Sequence, residues 1–104
     1  MIKPVEEWLR AHPVFASLGE RERQLMAEQS LARELAEGEV LALQGDVWPC
    51  LFLVAQGRID AAKASSQGRS LLVTTFGAGD LFWGPAFFQE DAPLPATLEA
   101  RGPT

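Results

Sequence analysis

The chain has one cysteine, Cys50, one histidine, His12, and no tyrosine. A single cysteine excludes an intrachain disulfide and a thiolate metal cluster, and it suits a reducing, cytoplasmic setting. Around a lone His followed by Pro13 no Ser/His/Asp or Cys/His arrangement can be assembled, so His12 reads as a helix-ending residue. Basic residues are also scarce, nine against fourteen acidic, for a net charge of −5. That sign is wrong for a surface that tracks a phosphate backbone, and no direct nucleic-acid contact is expected. Long apolar runs are missing as well: nothing approaches the roughly 18 residues of a membrane span. The opening MIKPVEEWLR carries two Glu and a Trp where a signal peptide needs an apolar stretch.

What is present suffices for a fold. The 104 residues are 47% hydrophobic with three Trp and six Phe, which fits one globular domain spanning 1–104 that buries roughly 60–65% of its unfolded-state surface. Residues 1–30 read as helical. Val5–Ala11 is a short amphipathic piece that stops at His12-Pro13, because the residue before proline is pushed out of the α region. A second helix is expected from Ser17, where Ser17-x-x-Glu20 has capping-box spacing, with Leu18, Leu25 and Met26 on its packing side.

Residues 31–104 change character. Gly38, Gly45, Gly57, Gly68 and Gly77 recur at intervals of 7 to 12 residues, the turn spacing of an all-β sandwich or barrel. The β-compatible runs between them are Glu39–Leu43, Leu51–Ala55, Arg58–Ala64, Ser70–Phe76 and Pro95–Ala100. Leu51-Phe52-Leu53-Val54 is apolar on both sides, as in a covered strand, and Ser65-Ser66-Gln67-Gly68 reads as a polar hairpin tip. Cys50, beside that apolar run and far in sequence from any His, reads as a small hydrophobe.

Residues 77–97, GAGDLFWGPAFFQEDAPLPAT, invite a phosphate reading, since a glycine-rich turn can cradle a phosphate with backbone N–H groups. Neither G-x-G-x-x-G before a long helix nor a Lys-Ser/Thr after the glycines is present, which excludes a dinucleotide fingerprint and a Walker loop. Glu90-Asp91 reads as a pair of solvated acids in a polar turn. Nothing in these residues proposes an enzyme.

The order Phe15-Ala-Ser-Leu18, Glu37-Gly-Glu39, Gln44-Gly-Asp46, Leu51-Phe-Leu-Val54, Gly57-Arg58 and Gly79-Asp80-Leu-Phe82 resembles the cyclic nucleotide-binding domain. That domain is the sensor module of catabolite activator-like regulators, cyclic-nucleotide-dependent kinases and gated channels. The resemblance runs from about Pro13 to Ala100. It implies a mainly β fold, an antiparallel β-roll or jelly-roll barrel with N-terminal flanking helices. It also implies a phosphate-binding cassette at 79–97, built of a strand, a one-turn helix and a loop into the next strand. Family members continue with a last strand and a long capping helix after the position of Ala100, so the expectation is a fragment of a longer protein with downstream domains, or a homodimer through the edge left open.

The family's cassette reads roughly Phe-Gly-Glu-x-Ala-Leu, then about seven residues, then Arg-Ser/Thr/Pro-Ala. Its Glu binds the ribose hydroxyl and its Arg the cyclic phosphate. Laid on this chain, Ala86-Phe87 take the Ala-Leu positions, and Pro95, Ala96 and Thr97 follow in the family's spacing. Trp83 stands for the Gly, Gly84 for the Glu and Leu94 for the Arg. Pro95 lacks an N–H, and Trp83, Phe87, Phe88 and Leu94 are expected to make the pocket apolar and partly fill it. The residues thus call for no cofactor, and the implied cyclic nucleotide loses both of its readers.

The resulting expectation is a non-catalytic regulatory or sensor domain that does not bind cyclic AMP or cyclic GMP in the family's usual way. Three states of the pocket fit the residues: core and loop only, a pocket retuned to an apolar or uncharged small molecule, or a cyclic nucleotide held differently. The alternatives for the domain are a structural or protein-interaction module, or the N-terminal sensor part of a larger signalling protein or transcription regulator.

Overall fold

The computed structural model describes residues 4–104, the side chain of Phe87 excepted. They form two compact units divided between Glu34 and Leu35.

In the first unit, α1 spans Val5–Ala11 and is tied across one turn by the Arg10–Glu6 ion pair at 2.8 Å. It ends at His12, whose ψ of 130° is the extended conformation that a following proline requires. The same Pro13 then opens a further helix that the sequence did not announce, α2 over Pro13–Ala16, because a fixed φ and a missing N–H suit the first helical position. His12 caps it, its Nδ1 accepting from the Val14 N–H at 3.1 Å. The third helix, α3, spans Glu20–Glu28 with Gly19 as N-cap and no side-chain cap. The capping box expected from Ser17 therefore does not form: Ser17 closes α2, and its Oγ donates to the Val14 carbonyl. Leu9 and Phe15 are the buried residues of α1 and α2. The expected packing side of α3 is shallow, with Leu25 half exposed and no residue of that helix buried.

The second unit is an antiparallel β-roll. Its strands are β1 (Val40–Ala42), β2 (Leu51–Leu53), β3 (Arg58–Ala64), β4 (Ser70–Gly77), β5 (Leu81–Trp83) and β6 (Thr97–Ala100), with a 3-10 turn at Pro85–Phe87. Four strands form one sheet in the order β1-β6-β3-β4, and β2 pairs with β5 in a second. All five expected runs become strands, each within two residues of the expected ends. Leu81–Trp83 joins them as a short sixth strand.

Alternation along β3 places Ile59 and Ala61 on the inner face, paired with Ala100 and Leu98 of β6. Together with Leu35, Ala42, Val54, Leu94 and Ala96 they make the core. An aromatic row joins the two sheets. Phe52 stacks on Phe82 at 4.7 Å, Phe82 on Phe76 at 4.1 Å, and Trp48 flanks Phe52 at 5.7 Å. Residues 101–104 return under the roll, where Thr104 and Leu35 exchange backbone hydrogen bonds of 2.8 and 2.9 Å. Gly57 makes that return possible: its φ is +83°, and a Cβ there would strike the Pro103 and Thr104 backbone.

Candidate ligand-binding cassette

The segment that raised the phosphate question keeps its turn N–H groups for itself. The Gly77 N–H donates to the Asp80 carboxylate at 2.7 Å and the Gly79 N–H to the Val54 carbonyl at 2.7 Å. A carboxylate of the chain thus occupies a donor that a phosphate would use, and Gly79 at φ +90° shapes the turn.

Beyond β5, Gly84 donates to the Cys50 carbonyl at 2.9 Å. It is buried against the Trp48–Cys50 backbone, and a Cβ at this position would lie inside 3.0 Å of the Trp48 carbonyl oxygen. The position where the resemblance puts Glu is therefore closed by backbone as well as emptied of its side chain. Burial pushes the Cys50 thiol above its ordinary pKa, away from thiolate reactivity.

Pro85 opens the 3-10 turn, and its carbonyl accepts from the N–H groups of Phe88 and Gln89, both at 3.1 Å. Ala86 is buried. Phe87 ends the turn, and its side chain lies outside the described residues. Asp91, at φ +60°, takes the left-handed conformation that carries the loop round toward Leu94. Leu94 and Asp46 are joined by a 2.8 Å bond from the Leu94 N–H, and the Leu94 carbonyl accepts from Gly45 at 2.9 Å. This clamp aims the Leu94 side chain inward, where it is 5% exposed and part of the core. Pro95 is exposed, Ala96 is buried in the same core, and the Thr97 hydroxyl accepts from the Gln44 N–H at 2.9 Å.

The structure thus brings Gly84, Ala86, Leu94 and Ala96 to buried positions and leaves two expected pocket residues outside. Trp83 is 47% and Phe88 72% exposed, their rings tilted together at 5.4 Å. The expectation that these aromatics fill the pocket does not match that placement. Trp83 ends a three-residue strand and Phe88 follows the 3-10 turn, and neither position has the periodicity that would fix an inward side. The inward aromatics are Phe76, Phe82 and Trp48, with Phe52 stacked on Phe82; the cross-strand pairing of Phe52 with Phe82 is a register that only the fold supplies.

Charge is segregated to the other side of the sheet. No Lys or Arg occurs between Ser70 and Ala100, a stretch that holds Asp80, Glu90, Asp91 and Glu99. Asp60, between the inward Ile59 and Ala61, points outward and is nonetheless buried. It accepts from Arg101 Nε at 2.8 Å, from Thr75 Oγ1 at 3.0 Å, and pairs with Arg58 Nε at 3.2 Å. The Arg101 hydrogen bond, reinforced by Thr75 and Arg58, holds the Asp60 carboxyl below the usual carboxylate range against the upward push of burial. Both arginines are committed there, on the face away from Leu94. Among the described residues no group of three or more His, Cys, Asp or Glu is placed to hold a metal ion, and no helix is long and apolar enough to cross a membrane.

Known proteins share this architecture. The chain is 28% identical over 94 residues to the cAMP-dependent protein kinase regulatory subunit of Yarrowia lipolytica, an alignment that covers 90% of this chain and 24% of that protein. The chain therefore spans about a quarter of that relative's length. It superposes on the regulatory domain of Toxoplasma gondii PKA, solved with cAMP, with a TM-score of 0.74 and 26% identity, over 96% of this chain and 38% of that one. The N-terminal domain of a transcriptional regulator from Streptomyces coelicolor matches with a TM-score of 0.74 and 26% identity, over 92% of this chain and 68% of that one. Residues 32–104, which hold the roll and the whole cassette, match the model of the cyclic nucleotide-binding domain, and the chain belongs to that family.

Proposed function

We propose that this chain is a non-catalytic regulatory sensor domain that keeps the cassette's frame but does not hold cyclic AMP or cyclic GMP in the family's usual way. One observation carries the reading: Leu94, at the position that the resemblance gives to the phosphate-binding Arg, is 5% exposed and packed into the core. An isobutyl side chain there offers a phosphate no charge and no hydrogen bond. Charge-assisted hydrogen bonds are worth about 1.5–3 kcal/mol each, so losing that partner weakens a cyclic nucleotide by roughly tenfold to a hundredfold. Gly84 removes the ribose reader, and the Trp48 carbonyl leaves no room to restore it. The stretch from Ser70 to Ala100 contains no other cation that could substitute.

The output of such a sensor lies in other domains or other chains, as the regulatory-subunit relative, four times longer than its matched part, suggests. A cytoplasmic location belongs to the same proposal and rests on the single cysteine. The exposed Trp83 and Phe88 favour a second reading, a protein-interaction module with no small ligand.

Titration with cyclic AMP, cyclic GMP and cyclic di-GMP, followed by tryptophan fluorescence with calorimetry in parallel, separates these readings. Saturable micromolar binding of cyclic AMP or cyclic GMP sinks the main proposal. Binding of cyclic di-GMP alone supports a retuned sensor, and silence toward all three supports the interaction module.

A further inference from the structure

We propose that the free edge of β4 is a self-association surface, on which a second copy of this chain pairs antiparallel about a two-fold axis. The strand is the longest of the roll, eight residues, and the outermost of the four-stranded sheet, with β3 on one side and, among the described residues, no strand on the other. Edge strands of this length are ordinarily blunted by charges or proline. Here residues 70–79, Ser-Leu-Leu-Val-Thr-Thr-Phe-Gly-Ala-Gly, contain neither. Three consecutive apolar side chains are open to solvent: Leu71 at 66%, Leu72 at 58% and Val73 at 57%. They lie toward the hairpin end, where Lys63 and Ala64 of the paired strand are also exposed, so both faces of the ribbon run beyond the core. A register shift gives Val73 no partner on β3, between the pairs Ala61–Thr74 and Ala62–Leu72.

The charges flanking the edge select a second copy as the occupant. Arg69 precedes β4, and Asp80 follows the Gly77-Ala78-Gly79 turn at its other end. A two-fold axis between Val73 and Thr74 runs one β4 against the other and sets Arg69 opposite the partner's Ala78, from where its long side chain extends toward the partner's Asp80 two residues on, once at each end of the ribbon. One oxygen of Asp80 is held by the Gly77 N–H, which leaves the other to accept. In the same register Leu71 faces the partner's Phe76 and Leu72 the partner's Thr75, so no like charges meet across the pairing. Elsewhere two chains of net charge −5 repel one another, and the uncharged edge is where they can meet. Such a contact is isologous and closes at the dimer.

Sedimentation of the 104-residue chain from micromolar to millimolar concentration tests the surface, with amide hydrogen exchange as the second measurement. The expected result is a reversible dimer whose formation slows exchange of β4 amides. Val73→Lys, which sets two like charges across the axis, should raise the dimer dissociation constant by about tenfold or more. Leu71→Lys and Arg69→Glu should weaken it as well. Leu31→Lys, at a residue 86% exposed in the helical unit, should leave it unchanged. Unaltered tryptophan emission certifies that the variants fold. A chain that is monomeric at millimolar concentration overturns the proposal, as does a dimer that Val73→Lys and Leu71→Lys leave intact, because that dimer uses another surface.

Discussion

The two limbs of the cassette have opposite surroundings. Its entry limb, Leu81 to Phe88, is partly open, with Trp83 and Phe88 standing in solvent; its exit limb, Leu94 to Ala100, sends Leu94, Ala96, Leu98 and Ala100 into the core. In the resemblance the entry limb supplies the ribose reader and the exit limb the phosphate reader. The chain departs from the resemblance at these two positions in different ways. At Gly84 the Trp48 carbonyl occupies the space a side chain would need, whereas at Leu94 a side chain is present and belongs to the core. On the proposed reading the first position is closed by geometry and the second by solvation, so the two should respond differently to substitution.

Leu94→Arg should have the largest effect. It places an unpaired cation among Leu35, Val54, Ala96 and Leu98, where an uncompensated buried charge costs about 3–5 kcal/mol. That is a large share of a stability of about 5–15 kcal/mol, and thermal melting should fall by about 10 °C or more. If the frame of the cassette is intact, added cyclic AMP recovers part of the loss in this variant and none in the parent, because the phosphate supplies the missing counter-charge. Absence of recovery in a folded variant means that the frame is not aligned as the resemblance has it. Leu98→Ala, an uncharged cavity on the same limb, should cost about 2–5 kcal/mol with no response to nucleotide.

Gly84→Ala should come next. The added methyl meets the Trp48 carbonyl, and relieving that contact requires the segment ahead of β2 to shift, an overpacking cost of about 1–3 kcal/mol. Here nucleotide should rescue nothing, since no charge has been introduced. A variant as stable as the parent would show that this segment yields freely, and the geometric half of the comparison would fail.

How much of this was readable in the residues depends on what fixed each feature. The glycine spacing marked the strands, because turns that need left-handed backbone admit few other residues, and β3 was delimited at both ends. Gly84 and Leu94 stood out because a frame of flanking residues numbered them. Features set by long-range pairing were not readable. Asp60 meets Arg101 across 41 positions, and only alternation along Arg58-Ile59-Asp60-Ala61 hinted that Asp60 faces away from the core. Pro13 was read as a stop, which it is for α1, but proline is also a preferred start, and that second role consumed Ser17. Trp83 is half exposed, and a three-residue strand carries too short a pattern to choose its side from the residues.

Asp60 tests whether the inner face refuses charge because the outer face has taken it. Its folded-state pKa is depressed, first by the Arg101 hydrogen bond, below an unfolded value of about 3.9. The carboxylate therefore stabilises the fold fully above about pH 4, and that contribution is lost as pH falls through the lower folded value. Asp60→Asn should reduce stability at neutral pH by about 1–2 kcal/mol and flatten the acid limb of a plot of stability against pH. An unchanged acid limb would assign acid sensitivity to other carboxylates.

The smallest effect belongs to the open limb. Phe88→Ser removes a ring that is 72% exposed and touches Trp83 at a tilted 5.4 Å. An exposed aromatic contributes little to the folded state, so stability should change by no more than about 0.5 kcal/mol, while Trp83 emission shifts as its neighbour is removed. A larger loss would mean that the Trp83–Phe88 pair packs the cassette after all, and the two limbs would then differ in degree and not in kind. A loss within the expected range leaves the entry limb with apolar surface that folding does not require, which is the condition for a residue kept to touch something else.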